Sequence, residues 1–245
     1  ASSIGGGAFL NTPGSTAQEE ITFTTHAELC VAKLVCDSMG ADEAILLSGA
    51  RHVAAHTGYS STFRYVGPAS GAVEDATWVA IDALGPGESH GAQRMVPGES
   101  AAEQFLGAGT AREALKALVG FRGCVERGHK VIATGNWGCG AFAGNPEVKA
   151  LVQWAAASAA GATKLLYHCW DDAATAEALQ KLAALNLHER GVAVGRLWKD
   201  ATGAARESVH AAEQAGQERG LLGAVYDVVW QGVVYPALCQ IIRNE

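Results

Sequence analysis

Short apolar runs bounded by turn residues alternate with helical stretches along this chain, and that alternation limits the fold more than any other feature. The runs are 44–48 (AILLS), 79–84 (VAIDAL), 130–134 (KVIAT) and 164–169 (KLLYHC). Each is too short for a helix and has the continuous apolarity of a strand buried on both faces. Between them lie helical signals. Residues 28–39 carry Cys30, Val31, Leu34 and Val35 at the spacing of one helix face. Thr110-x-x-Glu113 reads as a capping box, with Leu115, Leu118 and Val119 as the buried face of the helix that follows. Asn145-Pro146-Glu147 has a cap, a proline at the first helical position and an acid in the first turn, and Gly161 is a C-terminal stop. A further helix is expected over 174–185. Strands alternating with helices predict a three-layer α/β/α domain around a mixed, largely parallel central sheet. The Gly- and Pro-rich segments 67–76 and 85–100 read as surface loops.

With 245 residues, one domain is the default. We expect it over 1–206, with 207–245 as a C-terminal helical extension packed on it. Residues 221–242 are long enough to span a membrane, but Asp227, Gln231, Pro236 and Gln240 interrupt them. A packing helix broken near Pro236 is the expectation, with no membrane partner. Lys and Arg number 18 against 25 Asp and Glu, a net charge of −7, and no basic run exists. A broad electrostatic grip on DNA or RNA is excluded as the main activity, so a polyphosphate ligand would be held locally by backbone amides. Six cysteines without a CxxC pattern, and opening residues with neither the charged nor the apolar region of a secretory signal, predict a reduced intracellular protein. The chain opens at Ala1 directly on a glycine motif, which reads as a fragment or a trimmed product.

Two glycine clusters carry the chemistry. The first, Gly5-Gly6-Gly7, is followed by Gln18-Glu19-Glu20. The second, 134–142 (TGNWGCGAF), lies between a strand and the helix capped at Asn145. A glycine-rich loop between strand and helix presents N–H groups to an anion, because a Cβ would hold a diphosphate away from the backbone. Neither GxGxxG nor GK[ST] is present, which sets aside a dinucleotide fold and a Walker loop. Adjacent acids cannot share one face of a helix, so Glu19 and Glu20 must do different jobs. One of them, over a partly dry anionic pocket, would have the raised pKa of a general acid.

Together these segments resemble the poly(ADP-ribose) glycohydrolases, whose fold is a macrodomain. Ile4-Gly5-Gly6-Gly7 and Gln18-Glu19-Glu20-Ile21 look like the family's signature, although the spacer from Ala8 to Ala17 is longer. Thr57-Gly58-Tyr59 is similar to its adenine-covering tyrosine loop and 80–84 to a core strand. The 134–142 segment resembles its diphosphate loop. Trp170 falls where the family has a stacking aromatic, usually Phe. The resemblance runs from Ile4 to about Arg206, and where the family has an Asn just before the Ile-Gly-Gly-Gly only Ala1, Ser2 and Ser3 precede it here. It implies hydrolysis of the ribose–ribose glycosidic bonds of poly(ADP-ribose), with Glu20 as general acid/base and Glu19 and Gln18 on ribose hydroxyls. It further implies Gly5, Gly6, Gly7 and Asn136 as substrate-binding residues, Gly138, Cys139, Gly140, Ala141 and Phe142 around the diphosphate, and Tyr59 and Trp170 on adenine. No metal or cofactor is implied. The implied partners are the polymer and proteins bearing it, met by a monomer in nucleus or cytoplasm. The alternative is a macrodomain that binds ADP-ribose without hydrolysing it.

Outside these motifs, His52 and His56 are four residues apart but have no third metal ligand in pattern, and read as surface or supporting side chains. Cys139 reads as a small residue in a tight loop rather than a nucleophile, and Trp137 and Trp154 as core.

Overall fold

The structure is a computed structural model; it describes residues 4–5, 17–69, 71, 75–85, 99–185, 193–215, 221–222, 224–225 and 238–242. By contact the chain divides into two compact units, Ala1–Asp82 and Ala83–Glu245.

The first unit begins with α1 (Gln18–Thr25), a 3₁₀ turn (Ala27–Val31) and the single turn α2 (Ala32–Val35). The strands β1 (Ile45–Ser48), β2 (Ala54–Thr57), β3 (Arg64–Pro68) and β4 (Thr77–Ala80) follow. They form two antiparallel pairs: β1 with β4, Ile45 opposite Ala80, and β2 with β3, Thr57 opposite Arg64. The core gathers Ile4, Phe23, Leu29, Ala32 and Ala50, with Ile45, Leu47 and Trp78 against them. The expected helix over 28–39 is thus broken, and its face is different. A 3₁₀ turn eclipses residues three apart, so Leu29 and Ala32 turn inward together while Val31, Leu34 and Val35 are exposed. The run at 79–84 pairs only as far as Ala80.

In the second unit come α3 (Ala101–Leu106), α4 (Ala108–Glu126), β5 (Val131–Gly135), α5 (Pro146–Ala160), β6 (Lys164–His168), α6 (Ala173–Ala184), α7 (Val194–Ala215) and β7 (Leu238–Ile242). The three strands form one parallel sheet in the order β5-β6-β7, Thr134 opposite Tyr167 and Tyr167 opposite Ile241. Parallel neighbours need a long crossover, and α5 supplies it between β5 and β6. Its cap is as expected: Asn145 Oδ1 accepts from the N–H groups of Glu147 and Val148, and Gly161 closes the helix at φ +84°. Every residue of α5 from Val148 to Ala157 is buried, the mark of a helix packed on all sides; α4 lies along it.

Expectations for this unit differ from the structure at α4 and at the C-terminal end. The capping box opens α3, where Ser100 and Glu103 exchange hydrogen bonds, and α4 starts at Gly107 with Thr110 already inside it. The buried face of α4 is Arg112, Glu113, Lys116, Ala117, Phe121 and Cys124, while Leu115 is exposed. Its charges turn inward because Glu113 has a buried cationic partner in Lys149 of α5. At the C-terminal end, Leu238–Ile242 form β7 on the sheet where a helical extension was expected, while residues 223 and 226–237 of the expected helix lie outside the described residues. Proline ends a helix, and the short apolar run after it suits a strand that finds β6 unpaired on that side. The boundary expected at 206 falls inside α7. Residues 70, 72–74 and 86–98 of the two expected loops lie outside the described residues.

Candidate functional site

In the first unit the acids stand at the start of α1. Ala17, at the N-cap, has no side-chain oxygen, and Glu20 at the third helical position turns back so that its Oε2 accepts the Ala17 N–H at 3.1 Å. Glu20 is buried. Glu19 faces another way, its Oε1 accepting the Gly5 N–H at 2.7 Å. Gly5 adopts φ +92°, and a Cβ there would come within 2.7 Å of the Lys33 side chain. Lys33 Nζ in turn donates to the Gly5 carbonyl at 3.2 Å. A left-handed φ and a close lysine therefore both require glycine at this position. The Glu19 carboxyl is pushed above its ordinary value. Desolvation raises it and the Glu20 charge adds to that, while the Gly5 N–H and Lys33 oppose it. Much of Glu19 still faces solvent, which limits the shift. Gln18 is exposed at the helix start, and Gly6 and Gly7 lie outside the described residues.

In the second unit the loop from Gly135 to Asn145 joins β5 to α5. It is a closed ring: the Gly144 N–H donates to the Gly138 carbonyl at 2.9 Å, the Ala143 N–H to Gly140 at 3.0 Å and the Cys139 N–H to Asn136 at 3.1 Å. Among the described residues no acceptor meets the N–H groups of Gly138, Gly140, Ala141 and Phe142. The first amides of α5 are taken by Asn145 Oδ1, which leaves the loop amides as the donors without an acceptor. Gly140 and Ala141 are exposed.

Asn136 ties this loop to the turn after β6. Its Nδ2 donates to the Cys169 carbonyl at 3.4 Å and its Oδ1 accepts from the Tyr167 hydroxyl at 3.1 Å. Both ends of its side chain are thus engaged by protein. The turn it holds carries Trp170, which is 55% exposed and sits at φ +53°. A bulky residue in the left-handed region is rare and marks a place where the chain holds a side chain outward. In the first unit Tyr59 is 45% exposed beside Gly58, whose φ of +74° and close approach to the Thr62 carbonyl exclude any other residue.

The remaining candidates resolve differently. Burial pushes the Cys139 thiol up to about 12, against the pull of the nearby Lys149 charge. A thiol so firmly protonated is a poor nucleophile, in keeping with a small side chain in a tight loop. His52 stacks on His26 with ring centroids 4.9 Å apart, and His56 on Phe63 at 5.4 Å. Trp154 is buried as expected, but Trp137 is only half-buried and lies under the Lys149 ammonium. The loop's supports were missed in the sequence: Gln104, Glu113, Lys149 and Gln153. One signal for them was legible. Lys149 and Gln153, four residues apart, are the polar residues of the otherwise apolar stretch Val148–Ala157 of the helix.

Residues 1–177 match the family described as poly(ADP-ribose) glycohydrolase (PARG), macro domain fold, a span that includes α1, the amide loop and Trp170. The chain is 28% identical over 218 residues to the probable poly(ADP-ribose) glycohydrolase 2 of Arabidopsis thaliana, covering 75% of this chain and 41% of that protein. It is 32% identical over 164 residues to poly(ADP-ribose) glycohydrolase 2 of Caenorhabditis elegans, covering 61% and 32%. Against poly(ADP-ribose) glycohydrolase 1 of the same animal it is 33% identical over 173 residues, covering 63% and 20%. The chain spans about two fifths or less of the length of these relatives. With a family match over well more than half its length and α/β architecture in place, the chain belongs to the poly(ADP-ribose) glycohydrolase family and has its macro domain fold.

Proposed function

We propose that this chain hydrolyses the ribose–ribose O-glycosidic bonds of poly(ADP-ribose) and releases ADP-ribose. Supporting this above all is the ring of loop amides at Gly138, Gly140, Ala141 and Phe142, linked through Asn136 to the outward Trp170. Amides without acceptors suit a diphosphate, and an exposed indole on the same framework suits an adenine face. Tyr59 is assigned to adenine as well, and Gly5, Gly6 and Gly7 to the phosphate and ribose side.

The acid is Glu20. Its carboxyl group protonates the departing ribose oxygen as the bond breaks, an oxocarbenium-like centre forms on the other ribose, and the resulting carboxylate takes a proton from the attacking water. Glu19 and Gln18 position ribose hydroxyls. The polymer and the proteins that bear it are the partners, met in nucleus or cytoplasm, and the chain acts as a monomer without a metal or cofactor. No helix among the described residues is long and apolar enough to cross a membrane.

Glu20→Gln tests the assignment. Glutamine keeps an acceptor for the Ala17 N–H but has no proton to transfer, so turnover should fall by ~10²–10⁴-fold while ADP-ribose affinity changes much less. Release of ADP-ribose at near the parent rate would remove Glu20 from the acid role. A parent protein that binds ADP-ribose and never cleaves polymer would instead support the non-hydrolysing macrodomain.

A further inference from the structure

Lys149 lies where lysine is seldom found. Its side chain is fully buried in α5, beneath the amide loop. The ammonium pairs with the Glu113 carboxylate of α4, itself buried. The other Glu113 oxygen accepts the Leu84 N–H at 2.6 Å and faces the Arg112 guanidinium at 3.4 Å. On its loop side, Lys149 Nζ stands 4.1 Å from the centre of the Trp137 ring, within the range of a cation–π contact.

The loop is moulded on this lysine. A Cβ added at Gly138 would lie 3.0 Å from Lys149 Nζ, and one added at Gly144 would lie 2.7 Å from its Cε. These two glycines are also the ones joined by the hydrogen bond that closes the ring. Gly140 is the opposite case, with nothing within 4 Å of a Cβ. So Gly138 and Gly144 face the lysine beneath, while Gly140 is clear of protein. Two further buried side chains pin the ends of the loop. Gln153 Nε2 donates to the Gly135 carbonyl at 3.0 Å. Gln104 Nε2 donates to the Ala143 carbonyl at 3.2 Å, and its Oε1 accepts the Asn145 N–H at 2.8 Å.

A methionine would fill the same volume without the desolvation cost of a buried ion pair, and such pairs are often neutral or worse for stability than apolar side chains. Packing alone therefore does not account for a charge at this position. A cation held behind a ring of amides does two things an apolar side chain cannot. It fixes the Trp137 face and the closed ring by directional contacts, and it adds positive potential behind donors that face an anion. The chain's net charge of −7 makes such a local source useful.

We propose that Lys149 is a positioning residue for anion binding, holding the 135–144 loop in its amide-presenting form through Glu113 and the Trp137 ring. This rests on the assignment of that loop to the diphosphate of ADP-ribose.

The direct test is the pair Lys149→Met with Glu113→Gln, which removes the Lys149–Glu113 ion pair as a unit and leaves the glutamine oxygen to face the Arg112 guanidinium. Glutamine keeps an acceptor for the Leu84 N–H. The doubly substituted protein should melt close to the parent, yet its Kd for ADP-ribose by calorimetry should rise by about tenfold or more, since a loop that is no longer pre-organised must be ordered on binding. KM for polymer should rise with kcat little changed, because ground state and transition state lose the same contact. Trp137→Leu carries the test independently if the double substitution does not fold. It keeps the ion pair and removes the ring, and a Kd rise of about threefold or more is expected. A folded variant of either kind with parent affinity and parent KM would overturn the positioning role. A parent protein that does not bind ADP-ribose at all would overturn the assignment of the loop itself, a separate result.

Discussion

Gly138 and Gly140 are two residues apart in one loop, yet a side chain added at each meets opposite surroundings. At Gly138 the backbone sits at φ +73°, and a Cβ would approach the Ala83 methyl to 2.6 Å and Lys149 Nζ to 3.0 Å. At Gly140 there is no positive φ, and a Cβ would meet nothing within 4 Å. The same kind of substitution should therefore do different damage at the two positions. Gly138→Ala should lower stability by about 1–3 kcal/mol, through left-handed strain and the two close contacts. Gly140→Val should leave the melting temperature near the parent's and weaken ADP-ribose binding by about tenfold or more, because the new side chain stands where an anion would meet the amides. Thermal melts and calorimetry on both proteins separate the two outcomes. Unchanged affinity in a folded Gly140→Val protein would place the ligand elsewhere.

At the scale of elements, β6 and the turn beyond it carry Trp170 to the edge where the β5 loop also ends. Asn136 and the Asp172 N–H both donate to the Cys169 carbonyl, which holds the turn and the left-handed Trp170. Stacking on a base is worth roughly 1–3 kcal/mol by alanine substitution. Trp170→Ala should cost about that much in ADP-ribose binding, and Trp170→Phe far less. Ribose 5-phosphate has no adenine and should bind parent and Trp170→Ala alike; an equal loss for both ligands would make Trp170 a packing residue. This strand, its loop and α5 were legible in the sequence because their signals are local: an apolar run, a glycine cluster, an Asn-Pro-Glu cap. The buried face of α4 was not. Thr110 and Glu113 match a capping box in spacing, and only a partner 36 residues away, Lys149, turns Glu113 inward. The face of the 3₁₀ turn before α2 was missed because the local period is three rather than 3.6. β7 was missed because its partner strand, far back in the chain, is what makes it a strand. In the candidate site, Glu20, the loop glycines and Trp170 were readable as motif residues. Of the side chains beneath the loop, Lys149 and Gln153 left a polar trace in an apolar stretch, while Gln104 and Glu113 were hidden by their sequence separation.

For the whole molecule, charge decides how an anionic polymer is met. Acids exceed Lys and Arg by 25 to 18, and the sequence has no basic run. A nucleic-acid binder that neutralises ~6–10 phosphates loses ~10³–10⁵-fold in affinity between about 50 and 200 mM salt, because counterions are released on binding. Here the contacts assigned to the phosphate group are neutral backbone amides, and the lysine behind them is buried with its counter-ion. Neither releases bound salt. Long-range forces on a charged polymer are repulsive on balance, and salt screens repulsion as well as attraction over a Debye length of about 10 Å at 0.1 M. Two outcomes are expected when binding to poly(ADP-ribose) is followed across about 50–200 mM salt. Affinity should change by no more than about threefold, and the association rate should hold steady or rise with salt instead of falling. Surface plasmon resonance on immobilised polymer reads both quantities at once. A steep loss of affinity with a falling association rate would mean that a basic surface, and not the amide loop, holds the polymer.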